Sequence, residues 1–143
     1  MNIERLNPYD LILPLDRSGR GDTWLARTVE GSGIELVLVE FLPDQFTERE
    51  DLTERVVDLA RRASRLQHRR LLRTLDAGLI DNRFCVVSEF PSGDTLDNLL
   101  SAGRPSMLAT LRIFADIVDA LAHAHGSAEL VHGALNPAVI AIG

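Results

Sequence analysis

The sequence contains no lysine: all fifteen basic residues are arginine. Any mechanism that needs a lysine ammonium is therefore excluded inside this polypeptide. There is a single cysteine, Cys85, so no internal disulfide can form. It lies in the apolar run Phe84-Cys85-Val86-Val87, where a buried, inert thiol is expected. No apolar run approaches the roughly eighteen residues that signal a membrane span. The N-terminus, MNIERLNPYD, lacks the basic and then apolar pattern of a secretory signal. A cytoplasmic location is the resulting expectation. Positive charge is also in deficit, and a formal net charge of −6 argues against nucleic-acid binding, which usually needs a basic surface.

What is present fits one domain. A chain of 143 residues, 45% hydrophobic and 25% charged, can bury a substantial core. Tyr9 to Leu15 reads as a strand, followed by the turn-rich Asp16-Arg17-Ser18-Gly19-Arg20-Gly21 and a short strand from Thr23 to Arg27. Gly31-Ser32-Gly33 marks a hairpin-type break. Ile34 to Leu42 is apolar almost throughout, the pattern of a strand covered on both faces, and Pro43 ends it. Thr47 and Glu50 have the spacing of a capping box, which predicts a helix beginning near Thr47. Its expected buried stripe is Leu52, Val56, Leu59, Ala60, Ala63 and Leu66. Thr74 to Ile80 and Phe84 to Phe90 form an expected antiparallel pair turning at Asp81-Asn82. After the break Pro91-Ser92-Gly93, Asp94 can cap a short helix through Leu100. The longest helix is expected from about Ser106 to His125, and the tail from Leu130 to Gly143 is short, apolar and irregular. Strands followed by helices predict an α+β domain.

This order, with particular residues, resembles the Hanks-type serine/threonine protein kinases common in bacteria. Leu15 to Arg27 is similar to the family's glycine-rich loop and the strand after it, and Glu35 to Phe41 to its third strand. Leu66-Gln67-His68 matches the leucine-x-histidine that ends the C-helix. Glu89-Phe90, then Gly93 and Leu96, resembles the hinge and the start of helix D. Asp119-Ala120-Leu121-Ala122-His123-Ala124-His125 is very like the end of helix E. His132, Leu135, Pro137, Ala138 and Ile140 fall where the catalytic loop should be. The resemblance covers the chain from Tyr9 onward. It implies a kinase-like N-lobe over residues 1–90, a five-stranded antiparallel sheet plus the C-helix. A hinge and truncated helical C-lobe would follow over 91–143.

The same resemblance shows where this chain departs from the family. Kinases act mainly by positioning ATP and neutralising charge on the transferred phosphoryl group. Of the three loop glycines, Asp16 and Ser18 replace the first two, and only Gly21 is kept. Val39 stands in place of the phosphate-binding lysine, and the partner glutamate falls near Leu59. In the catalytic loop, Ala134 replaces the aspartate that orients the acceptor hydroxyl. Asn136 replaces a lysine, and Val139 replaces a metal-binding asparagine. These 143 residues hold no Asp-Phe-Gly segment. Arg17 or Arg20 could reach bound phosphates, restoring binding at most. These departures imply no catalytic residues, no cofactor and no metal. The chain is thus expected to be no enzyme but a pseudokinase interaction module, a scaffold or an allosteric partner. A regulatory nucleotide-binding domain, with adenine meeting the hinge near Glu89 and Phe90, is the alternative.

Two further clusters bear on partners. Arg55, Arg61, Arg62, Arg65, Arg69, Arg70 and Arg73 crowd into nineteen residues, preceded by a run of acids. Acids at a helix start and bases at its end complement the helix dipole. Alternatively Arg61, Arg62, Arg65, Arg69 and Arg70 form a docking surface for an acidic partner or a phosphate. The four histidines match structural positions or diverge on a helix, and no metal site is expected. On the long helix Arg112, Asp116, Asp119 and His123 make one narrow polar stripe. The wide apolar arc around it includes Ile113 and Ile117. That arc is the candidate contact for a protein partner or a second copy, with no nucleic acid and no membrane involved. A shortened piece of a longer chain would present the same arc.

Overall fold

The computed structural model of the chain describes residues 5–6, 9–18, 21–28, 35–130 and 140–142. Two compact units divide it. One comprises the described residues up to Arg65 together with Leu72–Phe90; the other joins Leu66–Leu71 to the described residues from Pro91 onward.

The first unit is built on a five-stranded antiparallel sheet of β1 (Tyr9–Ser18), β2 (Gly21–Thr28), β3 (Leu36–Phe41), β4 (Thr74–Ile80) and β5 (Arg83–Glu89). Its order is β1-β2-β3-β5-β4. The expected hairpin between β4 and β5 is present. Asp81 and Asn82 both take left-handed backbone, φ 49° and 64°, which suits the twist of a two-residue hairpin turn and which Asp and Asn tolerate. The core gathers Ala26, Val37, Val39, Phe41, Ile80, Cys85 and Val87, with Leu6, Tyr9 and Trp24 packed partly against it. On β3 the burial alternates: Val37, Val39 and Phe41 are buried, whereas Leu36 and Glu40 are exposed. The expectation that this strand is covered on both faces is therefore corrected. Leu36 and Leu38 extend the apolar run onto a face that the described residues leave half open.

β1 is an edge strand, and its pairing to β2 slips between Leu11 and Leu13 and again between Pro14 and Asp16. A cross-strand pair fixes its start, with Arg27 Nε and Nη2 donating to Asp10 Oδ2 at 2.9 and 2.7 Å. At the other end of the sheet Arg83 lies over the Phe41 ring, 4.6 Å from its centroid. Its guanidinium reaches Asp22 at 3.2 Å and Asp44 at 3.5 Å, tying β5 to β2 and to the short helix α1 (Asp44–Thr47).

Helix α2 (Glu50–Ser64) begins later than the capping-box spacing predicts. Thr47 closes α1, Arg49 is the N-cap of α2 without a side-chain cap bond, and Glu50 is already the first helical residue. Its buried stripe is also rotated from the expected one. Thr53 and Val57 are buried, while Leu59 is 45% exposed. A threonine fits this buried position because its hydroxyl donates back to the carbonyls of Glu50 (3.0 Å) and Arg49 (3.3 Å), leaving no polar atom unsatisfied.

The second unit holds α3 (Leu96–Ala102) and α4 (Met107–Ala128), and a two-residue ladder of β6 (Asp94–Thr95) with β7 (Ala141–Ile142). Thr95, not Asp94, caps α3, accepting from the Asn98 amide at 3.2 Å. Asp94 instead braces the turn, its Oδ1 accepting from the Thr95 amide and the Asn98 side chain. Ser106 caps α4 by accepting from the Ala109 amide at 3.1 Å.

Candidate interaction site

The positions that the kinase resemblance assigns to phosphate handling fall mostly in the sheet unit. The segment similar to the glycine-rich loop is the β1–β2 hairpin, where Asp16 pairs with Thr23 and Ser18 with Gly21 in the backbone register. Gly19, Arg20 and the whole of 131–139, including His132, Ala134, Asn136 and Val139, lie outside the described residues. Val39 has no exposed surface, and its register partners are Trp24 and Val87. It is a packing residue in a dry core. Leu59, near the place of the family's glutamate, points to solvent. At the end of β5 the Glu89 amide donates to the Arg73 carbonyl at 2.9 Å. Pro91, two residues on, has no N–H to offer a ligand.

Burial pushes the Cys85 thiol up to about 12, the Asp76 carboxylate adding to the effect. A thiol held protonated so far above neutrality is a poor nucleophile. Among the described residues no group of three or more His, Cys, Asp and Glu is arranged to hold a metal ion. No described helix is long and apolar enough to cross a membrane.

The second unit explains the polar stripe of the long helix. Segment Leu66–Leu71 docks on α4 through it. The Arg70 amide can only donate, and it donates to His68 Nδ1 at 3.0 Å. Nδ1 is therefore unprotonated, and Nε2 carries the hydrogen that it donates to Asp119 Oδ2 at 3.0 Å. The His68 ring lies 5.2 Å from that of His123, and the Arg70 guanidinium meets Asp116 at 3.2 Å. Three of the four stripe residues thus serve an internal clasp. Arg70 is engaged there, and Arg62 pairs with Asp58 one helical turn away at 2.7 Å. Arg61, Arg65 and Arg69 are exposed. Of the arginines named as a docking surface, Arg61, Arg62 and Arg65 belong to the sheet unit, and Arg69 and Arg70 to the helical one.

The apolar arc of α4 is open on one side. Met107 is 76% exposed, Phe114 63% and Val118 62%, with Leu108 and Leu111 close behind. Ile113 and Ile117 are half-buried on the other flank. Nearby, Leu96, Leu99, Leu100, Pro105 and Ile113 line an open apolar groove of ≈ 300 Å³, with Arg104 also in its wall. The sequence pattern located the arc but not its open side, because which flank the docked segment covers depends on tertiary contacts.

Solved structures decide the fold. The kinase domain of Mycobacterium tuberculosis PknI superimposes with a TM-score of 0.75 at 21% identity, over 91% of this chain and 52% of that one. Residues 1–466 of Rad53 in complex with AMP-PNP superimpose with a TM-score of 0.77 at 20% identity, over 94% of this chain and 34% of that one. The fold is that of a protein-kinase N-lobe with a short helical part. No family model matches the sequence, and no curated protein matches it. The chain spans about half the length of the PknI kinase domain.

One expectation is corrected by these kinase-fold neighbours. The reading of the chain as no enzyme rested on side chains missing from these 143 residues. The matching structures are kinase domains, one of them carrying an ATP analogue, and the chain covers only part of each. Side chains absent from one part of a fold do not fix the chemistry of the fold as a whole.

Proposed function

We propose that this chain works as an interaction module, a scaffold or allosteric partner in a protein assembly, built on a degenerate fold of the bacterial Hanks-type serine/threonine kinases. The observation that carries this reading is the uncovered apolar side of α4, headed by Met107, Phe114 and Val118. Large apolar side chains exposed side by side along one helix mark a protein-binding surface more often than residues scattered singly do. The exposed guanidinium groups of Arg61 and Arg65 in the sheet unit, and separately that of Arg69 in the helical unit, offer acidic partners further points of contact. A cytoplasmic location goes with this reading.

Placing a photo-crosslinking amino acid at Phe114 and, as a control, at exposed Asp97 tests it in cells. The expected outcome is a protein adduct from Phe114 that is absent from Asp97. Equal or no adducts at both sites would remove the support that α4 lends.

The alternative, a regulatory nucleotide-binding domain, draws on the hinge-like Glu89–Phe90. Against it stand Glu89's committed amide, the missing N–H of Pro91 and the burial of Val39. A thermal shift with millimolar ATP, with and without magnesium, separates the two readings. The interaction module predicts no change in melting temperature, and a clear rise would favour nucleotide regulation.

A further inference from the structure

The open side of α4 has an order that an unspecific greasy patch lacks. Leu108, Leu111, Ala115, Val118 and Ala122 follow one another at alternating steps of three and four residues, the spacing of a coiled-coil seam. All five are exposed, as are the residues along one border of the seam, Arg112 and Asp119. These two carry opposite charges and stand seven residues apart, two full turns along the same edge. Asp119 keeps 65% of its side chain in solvent even while accepting from His68.

From this we infer that the seam is covered by a second copy of the chain, its α4 running antiparallel about a two-fold axis close to residues Asp116 and Ile117. This rests on the interaction-module reading and names its partner. In that arrangement Ala115 sits against the partner's Val118, and Leu111 against the partner's Ala122. Arg112 comes opposite the partner's Asp119, and by symmetry Asp119 comes opposite the partner's Arg112. The two-fold therefore makes both flanking pairs attractive at once, as an isologous interface requires. A parallel pair would instead lay Arg112 beside the partner's Met107 and Asp119 beside the partner's Phe114, leaving both charges without a partner. Ala115 and Ala122 also matter for shape. Small side chains in the seam let the helix axes approach to the short end of the usual 8–10 Å range. Phe114 and Met107 then close the border opposite the charges.

The charge pattern gives the test its specificity. Sedimentation equilibrium of the 143-residue chain should show a dimer at tens of micromolar. Arg112→Asp leaves two acidic residues on the border, and Asp119→Arg leaves two basic ones. Each variant alone should raise the dimer dissociation constant tenfold or more. Mixed in equal amounts they should recover a dimer containing one copy of each, identified by native mass spectrometry. Circular dichroism of each variant guards against a folding defect, since Asp119 also holds His68. A second measurement does not depend on those variants. Ala115→Cys with Val118→Cys should give a disulfide-linked dimer on mild oxidation, the buried Cys85 taking no part. A wild-type dimer indifferent to both charge reversals, or cysteines that fail to link, overturns the antiparallel pairing. A chain monomeric at 100 μM overturns the second copy itself. If Phe114 then crosslinks to a different protein, the interaction-module reading stands without it; if it crosslinks to nothing, both fall.

Discussion

Cys85 and Val39 show how far burial decides what single residues can do here. The Cys85 thiol holds its proton to about pH 12, against an ordinary value of 9.0, and burial also raises the Tyr9 phenol above its usual 10.0. In the unfolded chain both groups release protons at lower pH. Between pH 9 and 12 the folded state therefore binds more protons, so stability falls as pH rises through that window. A urea-unfolding series at pH 8, 9, 10 and 11 should show a progressive loss of stability that Cys85→Ala reduces. At pH 8 the folded thiol should resist alkylation that the urea-unfolded chain undergoes at once. Val39 makes the complementary point. Introducing the lysine that the kinase resemblance assigns there, Val39→Lys, places an ammonium at a position with no exposed surface, between Trp24 and Val87 in the sheet register. It should cost about 3–5 kcal/mol by chemical denaturation. Adding Leu59→Glu should not restore the loss, because Leu59 faces solvent.

At the scale of helices and strands, local signals were legible where the chemistry was local. The β4–β5 hairpin could be read from Asp81-Asn82, whose side chains tolerate the backbone that the turn imposes. The start of α4 at Ser106 was legible for the same reason. Ser106→Ala should cost about 1 kcal/mol and speed hydrogen exchange at the Ala109 amide. Reading failed where a distant contact overruled a local preference. The Thr47–Glu50 spacing is a valid cap pattern, yet α1 takes Thr47 for its own last turn. On α2 the expected stripe is only partly buried; the buried positions are Val57 and Thr53, whose hydroxyl bonds within the helix, while Leu59 faces out. The sequence marked the α4 polar stripe without a role, and only the fold reveals it as the landing strip for His68 and Arg70. Asp116→Ala removes the Arg70 contact, and the amides of Leu66–Leu71 should then exchange faster while those of β3 do not. Arg83→Gln tests the corresponding tie in the sheet unit. Because its ion pairs are partly open to water, the expected cost is only about 1 kcal/mol and should shrink in high salt.

At the scale of the whole molecule, the two units carry different loads. The kinase-type sheet holds the sealed core, and the helical unit presents the open apolar face on which partner binding is proposed. The α+β fold class itself was legible in the order of strands and helices, because strands gathered in one stretch of chain form a sheet that the helices then cover. The occupant of the open face was not, since sequence periodicity marks an apolar arc without saying which part the chain itself covers. The outer margin of the sheet poses a related hazard. Leu11, Ile12, Leu13 and Leu15 all expose a good part of their side chains on β1. A straight, greasy border of that kind would seed fibrils by recruiting strands from other molecules. Pro14 and the two slips in pairing break the regularity of that border, which makes it a poor template for an incoming strand. The irregular hairpin that departs from the kinase glycine pattern thus doubles as a guard against amyloid-like growth.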